Sequence, residues 1–143
     1  MINCICVDKD KKSREAIERM LRKIGGVQLR RSYATLAAAV KACLENRIDI
    51  LFVSLYDCPV PKKDTDALKK VMKHGTKIIL MSSKIGVVSD AIAINASDYV
   101  LFPTSSRRLW KASKKALNIK DFGIEMPKMR IGQPEDSRIT LNF

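Results

Sequence analysis

Polar residues follow the apolar segments of this chain at points where side chains could take part in chemistry. Segment 50–55 is apolar apart from Ser54 and leads through Asp57 into a proline-containing loop. This pattern is typical of a strand buried on both faces of a parallel sheet. Segment 77–81 leads into Ser82 in the same way. Because open parallel sheets bind ligands beyond the carboxyl ends of their strands, any chemistry is expected near Ser54 to Asp57.

The residue patterns of most enzymes and metal sites are missing from the sequence. There is no catalytic triad, no glycine-rich phosphate loop and no Cys/His cluster. The single histidine, His74, stands at the end of a predicted helix, where capping is a better interpretation than catalysis. Cys4, Cys6 and Cys43 fall on apolar faces and are interpreted as small buried hydrophobes. We therefore expect a protein that is not an enzyme and that holds no metal or cofactor.

Five strand–helix units are predicted to position the polar residues. Short apolar segments alternate with segments whose apolar residues recur at helical spacing. Such alternation with short connections requires a parallel sheet that has helices on both faces and right-handed crossovers. The predicted strands are 2–7, 27–33, 50–55, 77–81 and 99–102.

Capping residues predict where the helices begin and end. Glycine tolerates the left-handed backbone conformation that commonly ends a helix. Gly25-Gly26 is therefore expected to end the first helix, and His74-Gly75 the third. The fourth helix is predicted over 87–95. The expected N-caps are Asp10 or Ser13 for the first helix, Thr35 for the second, Asp64 or Thr65 for the third, and Ser105 or Ser106 for the fifth.

The strand–helix alternation defines a domain over residues 1–117. Residues 118–143 contain Pro127, Gly132 and Pro134 and form a short C-terminal extension. Segments 129–131 and 138–143 are suited to a β-hairpin, and a tail or linker is the alternative.

The formal net charge of +12 is the most unusual bulk property of the chain. A solvated surface is the preferred interpretation, because the basic residues are scattered and no nucleic-acid motif accompanies them. A basic nucleic-acid-associated regulator is the alternative, and it requires the charges to cluster on one face. No apolar segment is long enough to span a membrane, and the N-terminus lacks signal-peptide features, so a cytoplasmic location is expected.

Four segments carry a resemblance to a known family: 4–10 (CICVDKD), 48–54 (IDILFVS), 78–83 (IILMSS) and 96–103 (ASDYVLFP). Residues 1–117 resemble the receiver domain of two-component response regulators, in particular receivers found ahead of LytTR DNA-binding domains. Segment 96–103 is the most specific, since that family carries Asp-Tyr-Leu-Leu-Lys-Pro there. The resemblance implies a flavodoxin-like (βα)5 doubly wound parallel sheet of strand order 2-1-3-4-5.

The resemblance also implies a phosphorylation pocket, and this chain departs from it. In the family an aspartate at the end of strand three accepts the phosphoryl group, and it binds Mg2+ together with an acidic pair after strand one. Those positions correspond to Ser54 and to Asp8-Lys9, and the phosphate-contacting lysine corresponds to Phe102. Serine is a poor nucleophile without a base, and a lysine repels Mg2+. The degenerate pocket consists of Asp8, Lys9, Asp10, Ser54, Ser82 and Phe102.

These departures predict that Mg2+ binding and ordinary phosphorylation are lost. Lys9 is expected to pair with Asp8 or Asp10 and so to replace the metal. Asp57 is an alternative phosphoacceptor if strand three is shifted, which would make the chain a conventional receiver. A turn-capping role is the preferred interpretation of Asp57.

The resemblance places the output surface on the face formed by the fourth helix, the fifth strand and the fifth helix. A protein partner or a second copy of the chain, as in a dimer, is expected to bind there. For Trp110 a core position is the alternative, and for the arginines a solvated surface is. The predicted switch and interface residues are Tyr99, Pro103, Arg107, Arg108, Trp110 and Lys111.

Overall fold

A computed structural model describes residues 1–56 and 59–119. In this part of the chain, five strands alternate with five helices, as predicted. Asp57, the hairpin segments 129–131 and 138–143, and almost all of the C-terminal extension lie outside the described residues. The elements are β1 (Ile2–Val7), α1 (Lys11–Arg22), β2 (Val27–Tyr33), α2 (Leu36–Glu45), β3 (Ile50–Ser54), α3 (Lys62–Lys73), β4 (Lys77–Ser82), α4 (Val87–Ile94), β5 (Asp98–Leu101) and α5 (Ser106–Ala116).

All strand pairs are parallel, and the sheet order is β2-β1-β3-β4-β5. This order confirms the predicted flavodoxin-like sheet. Its two faces bury separate apolar clusters. One cluster packs α1 and α5 against the sheet around Cys4, Cys6 and Phe52, and the other packs α2, α3 and α4 around Cys43 and Leu51. These three cysteines are therefore core residues, and burial raises the pKa of the Cys43 thiol to about 11.

Most helix ends lie where the capping residues predict them. Asp10 caps α1, Thr35 caps α2 and Ser105 caps α5, each through its side chain. Asn95 ends α4 in the left-handed conformation, with φ of 60°. Gly75, with φ of 110°, follows the end of α3.

Two predicted helix boundaries are wrong. Helix α3 begins at Lys62 rather than after Asp64 or Thr65, and its N-cap Pro61 provides no side-chain hydrogen bond. The Pro61 carbonyl accepts instead from the N–H groups of Asp64 and Thr65, both at 3.0 Å. The Pro61 carbonyl thus satisfies the Asp64 N–H, a group that the side chain of a polar N-cap would otherwise bind. Helix α1 ends at Arg22, before Gly25-Gly26.

A buried carboxylate connects α4 to the segment before α3. Asp90 lies in the first turn of α4, and its Oδ1 accepts from the Val60 N–H at 2.9 Å. Its Oδ2 has no hydrogen-bond partner among the described residues. No helix of the described part of the chain is both long and apolar enough to cross a membrane.

Candidate functional site

Asp8 is the centre of the candidate site. It follows β1 directly, and its side chain is fully buried. Carboxylate Oδ1 accepts hydrogen bonds from the Tyr56 hydroxyl and from the Asp10 N–H, the latter at 2.9 Å. Oδ2 accepts from the Ser13 hydroxyl. Three donors from the protein therefore surround one buried carboxylate, and we call Asp8, Ser13 and Tyr56 the hydroxyl cluster.

The start of α1 explains how Ser13 reaches Asp8. The Asp10 carboxylate accepts from the Ser13 N–H at 2.8 Å, which fixes the first turn of the helix. The same turn places the Ser13 side chain against Asp8 and directs Arg14 Nη1 to the Asp8 carbonyl at 2.8 Å. The positive end of the α1 dipole also faces the Asp8 carboxylate. Local helix capping thus provides part of the electrostatic compensation that a buried anion needs.

Tyr56 connects Asp8 to Lys9. The Lys9 Nζ lies 4.6 Å from the centroid of the Tyr56 ring, a cation–π geometry. Burial, and secondarily the hydrogen bond to Asp8, raises the pKa of Tyr56 to about 12, so the phenol stays protonated as a donor at neutral pH. In residues 1–56 and 59–119 no ion pair joins Lys9 to a carboxylate. The predicted pairing of Lys9 with Asp8 or Asp10 is therefore wrong, because the Lys9 ammonium contacts the Tyr56 ring instead.

The donor set around Asp8 does not fit Mg2+. This ion prefers octahedral oxygen coordination that includes one or two carboxylates. The Asp8 oxygens accept from protein donors, the Asp10 carboxylate caps α1, and Ser54 carries no charge. Across the described ranges, no group of three or more His, Cys, Asp or Glu residues is placed to hold a metal ion.

Ser54 ends β3 and faces a cavity. Its backbone pairs with Met81 of β4, and its Oγ is buried without a hydrogen-bond partner in the described part of the chain. The cavity has a volume of about 300 Å³ and is also lined by Lys9 and Tyr56. Ser54 is therefore close to the hydroxyl cluster without belonging to its hydrogen-bond network.

Ser82 and Phe102 form the opposite corner of the sheet edge. The Ser82 hydroxyl accepts from the Lys84 N–H at 3.1 Å, and the Ser82 carbonyl accepts from the Phe102 N–H at 2.9 Å. Phe102 is buried in the same apolar cluster as Leu109 and Trp110. Phe102 corresponds to the family's phosphate-contacting lysine, and its buried ring provides no cation for an oxyanion.

The predicted interface residues divide between surface and core. Trp110 is buried in the core, so its placement on the interface is wrong and the core alternative holds. Tyr99 is half-buried, whereas Pro103, Arg107 and Lys111 are exposed.

Arg108 is held by the fifth strand. Its guanidinium donates to the Asp98 carboxylate at 3.2 Å and to the Tyr99 carbonyl at 2.6 Å. Asp98 also pairs with Lys115 at 3.6 Å. These contacts brace α5 against β5, so Arg108 has a structural role within the face rather than a purely solvated one.

Three exposed apolar side chains lie on α4, on β5 or just before α4, and they were not singled out from the sequence. Ile85 is 72% exposed and Ile92 is 76% exposed, and Leu101 of the neighbouring strand is also exposed. The basic residues, by contrast, are spread over several elements, with exposed side chains on α1, β2, α3 and α5. They therefore do not share one helix or strand.

Two residues of the hydroxyl cluster were not predicted as site residues. Tyr56 lies two positions after Ser54, and Ser13 was considered only as a helix cap. Both residues follow strands, β1 and β3, whose carboxyl ends meet at one edge of the sheet, but this placement alone does not reveal a hydrogen bond to Asp8.

Solved structures of similar fold are receiver domains. The response regulator domain of Thermotoga maritima CheB has a TM-score of 0.68 and 19% identity, with 84% of this chain and 98% of that chain covered. The signal receiver domain of NarL from Mycobacterium tuberculosis has a TM-score of 0.69 and 17% identity, with 83% of this chain and 98% of that chain covered. The REC domain of RcsB from Salmonella enterica, solved with the phosphomimetic BeF3−, has a TM-score of 0.67 and 19% identity, with 85% of this chain and 91% of that chain covered. No family model and no curated protein matches the sequence. The chain therefore has the fold of response-regulator receiver domains.

Proposed function

We propose that this chain is a receiver-like signalling domain that acts by protein–protein contact and is not phosphorylated at the sheet edge. The observation that carries this proposal is the hydroxyl cluster. Asp8 already accepts hydrogen bonds from Tyr56, Ser13 and the Asp10 N–H. A carboxylate satisfied in this way has no need of a metal ion.

The chemistry of phosphoryl transfer supports the same proposal. Transfer to a side chain needs a nucleophile, and a serine hydroxyl needs a base to become one. The Ser54 hydroxyl has no hydrogen-bond partner in the described residues, so no base activates it there. Phosphoryl oxygens also need cationic stabilisation. Phe102, which stands at the position that corresponds to the family's phosphate-contacting lysine, provides none.

The face of α4, β5 and α5 is the proposed contact surface. Ile92 of α4 and Leu101 of β5 are exposed apolar residues of these elements, and Ile85 is exposed just before α4. Arg107 and Lys111 of α5 are also exposed. The acidic residues of these elements, Asp90 and Asp98, are buried. A second copy would bring two basic surfaces together, so an apolar partner surface with an acidic rim is the better complement.

Amide NMR tests the loss of phosphorylation. Mg2+ and then the phosphomimetic BeF3− are added to the labelled protein, with the RcsB receiver treated in parallel as a positive control. We expect no specific shifts at Asp8, Ser54 and Ser82. Saturable shifts at these amides that extend to Tyr99 would show a working phosphorylation switch and refute the proposal.

A further inference from the structure

We infer that the cavity beside Ser54 binds a small organic carboxylate with an apolar body. The cavity measures about 300 Å³ and lies between β1, β3 and the beginnings of α2 and α3. Its walls are mainly apolar, with Val7, Leu36, Val53 and Val60 among them. This volume is at the lower end of the range for small-molecule pockets, which indicates a compact ligand.

The topology favours a ligand at this point. Strands β1 and β3 are neighbours in the sheet, and the helices that follow them pack on opposite faces. The chain therefore reverses its winding direction between them, and a crevice opens at their carboxyl ends. Ligands of doubly wound sheets bind in such crevices. The cavity lies on the side of α2 and α3, whereas the hydroxyl cluster is tied to the start of α1.

The Ser54 hydroxyl indicates a polar group on the ligand. Ser54 lines the cavity, and its Oγ is buried and lacks a hydrogen-bond partner in residues 1–56 and 59–119. Buried hydroxyls are normally hydrogen-bonded, so an exception calls for an explanation. A rotation of the Ser54 side chain toward the cavity would let a ligand oxygen accept its proton and so satisfy the hydroxyl.

The charges at the cavity favour an anionic head group. Lys9 lines the cavity, and no ion pair neutralises its ammonium within the described part of the chain. The N-terminus of α2 lines the same space through Thr35 and Leu36, and the Thr35 hydroxyl accepts from the Ala38 N–H at 3.3 Å. Asp64 is the opposing carboxylate in the lining, and it lies in the first turn of α3, where the helix dipole offsets its charge.

Ligand binding would reach the hydroxyl cluster through one contact. A carboxylate that pairs with Lys9 would draw the ammonium from the Tyr56 ring, and the Tyr56 hydroxyl donates to Asp8. The cavity would then be the input site of a receiver that takes no phosphoryl group. This role as an input depends on the proposed function, whereas binding itself does not.

The test uses phenylacetate, with phenylacetamide as a neutral ligand of the same shape and inorganic phosphate as an anion without an apolar body. Binding is followed by amide NMR on the whole chain. We expect saturable shifts at Lys9, Leu36, Ser54 and Tyr56 with phenylacetate, and at least tenfold weaker binding of the other two probes.

Two variants locate the binding site. Lys9→Met removes the cation and should weaken phenylacetate binding about tenfold or more, whereas the matched change Lys70→Met on the exposed side of α3 should leave it unchanged. Ser54→Ala removes a hydroxyl that has no hydrogen-bond partner in the described residues, and it should weaken binding severalfold.

Absence of saturable shifts at the cavity, equal binding of the acid and the amide, or no effect of Lys9→Met would each overturn the inference. These outcomes leave the result with BeF3− untouched. Failure of this inference is therefore distinguishable from failure of the proposed function.

Discussion

Removal of one hydroxyl from Tyr56 is the sharpest test of the hydroxyl cluster. The variant Tyr56→Phe keeps the ring and therefore keeps the contact with the Lys9 ammonium at 4.6 Å. It removes one of the two donors to Asp8 Oδ1 and leaves the Asp10 N–H at 2.9 Å. The change thus isolates one hydrogen bond to a buried carboxylate.

The expected cost follows from the charge and burial of Asp8. A hydrogen bond to a charged group contributes about 1.5–3 kcal/mol to stability. The Asp8 side chain is fully buried, but Tyr56 is partly exposed, so water can replace some of the lost bond. We therefore expect a loss near the lower limit, about 1.5 kcal/mol in the free energy of unfolding.

Urea unfolding measures this loss, with Tyr33→Phe as the matched control. Tyr33 also lies beside a cation, with Arg31 at 5.4 Å, and its hydroxyl has no hydrogen bond among the described residues. The control should change stability by no more than about 0.5 kcal/mol. If Tyr56→Phe costs no more than Tyr33→Phe, the hydroxyl cluster does not stabilise Asp8, and the observation behind the proposed function fails.

Two further predictions concern alkaline pH and the contact face. The pKa of Tyr56 is raised from 10 to about 12, so the contribution of the Tyr56 hydroxyl to stability is complete below pH 10 and is lost as the pH rises toward 12. In the Tyr56→Phe variant, the ultraviolet tyrosinate titration should lack this late transition, and the stability to urea should fall less between pH 10 and 12 than in the unaltered protein. Superimposable curves for the two proteins would contradict the assignment. For the face of α4, β5 and α5, Ile92→Asp should abolish cross-linking to the protein partner in cells. The control Gln28→Asp makes the same charge change at an exposed position of β2 and should preserve the cross-link. An equal effect of both changes would exclude this face as the contact surface.

The fold was predictable because the strands of the sheet appear in the sequence as short apolar segments, whereas the helices that cover it appear as segments with apolar residues at helical spacing. The predicted bounds of β1 and β2 match the observed strands, since β1 is a short apolar segment and β2 begins with alternating apolar and polar residues. The start of α3 was misplaced because Asp64 and Thr65 are good capping residues in isolation, whereas the Pro61 carbonyl performs that role. The capping propensity of a residue type describes whether it can begin a helix, and it does not decide which of several neighbouring residues occupies the N-cap position.

The candidate site was predictable only in part. Parallel topology brings Asp8, Ser54 and Ser82 to one edge, because the carboxyl ends of parallel strands meet there. The partners of these residues depend on side-chain reach, which spacing does not encode. The Lys9 ammonium has carboxylates close by in sequence, yet it contacts the Tyr56 ring. A long flexible side chain selects its partner in three dimensions, and this selection made the difference between an ion pair and a cation–π contact.

The hydrogen bond between Val60 and Asp90 has a consequence for how the domain folds. The two residues are 30 positions apart, and α3 and β4 lie between them. Closing such a loop costs conformational entropy, so the bond is favourable only when the intervening elements are already docked. Residues 60–90 should therefore open and close as one cooperative unit in native-state hydrogen exchange. A substitution within this unit would then lower the protection of the whole segment together, and fraying would not be confined to the altered turn.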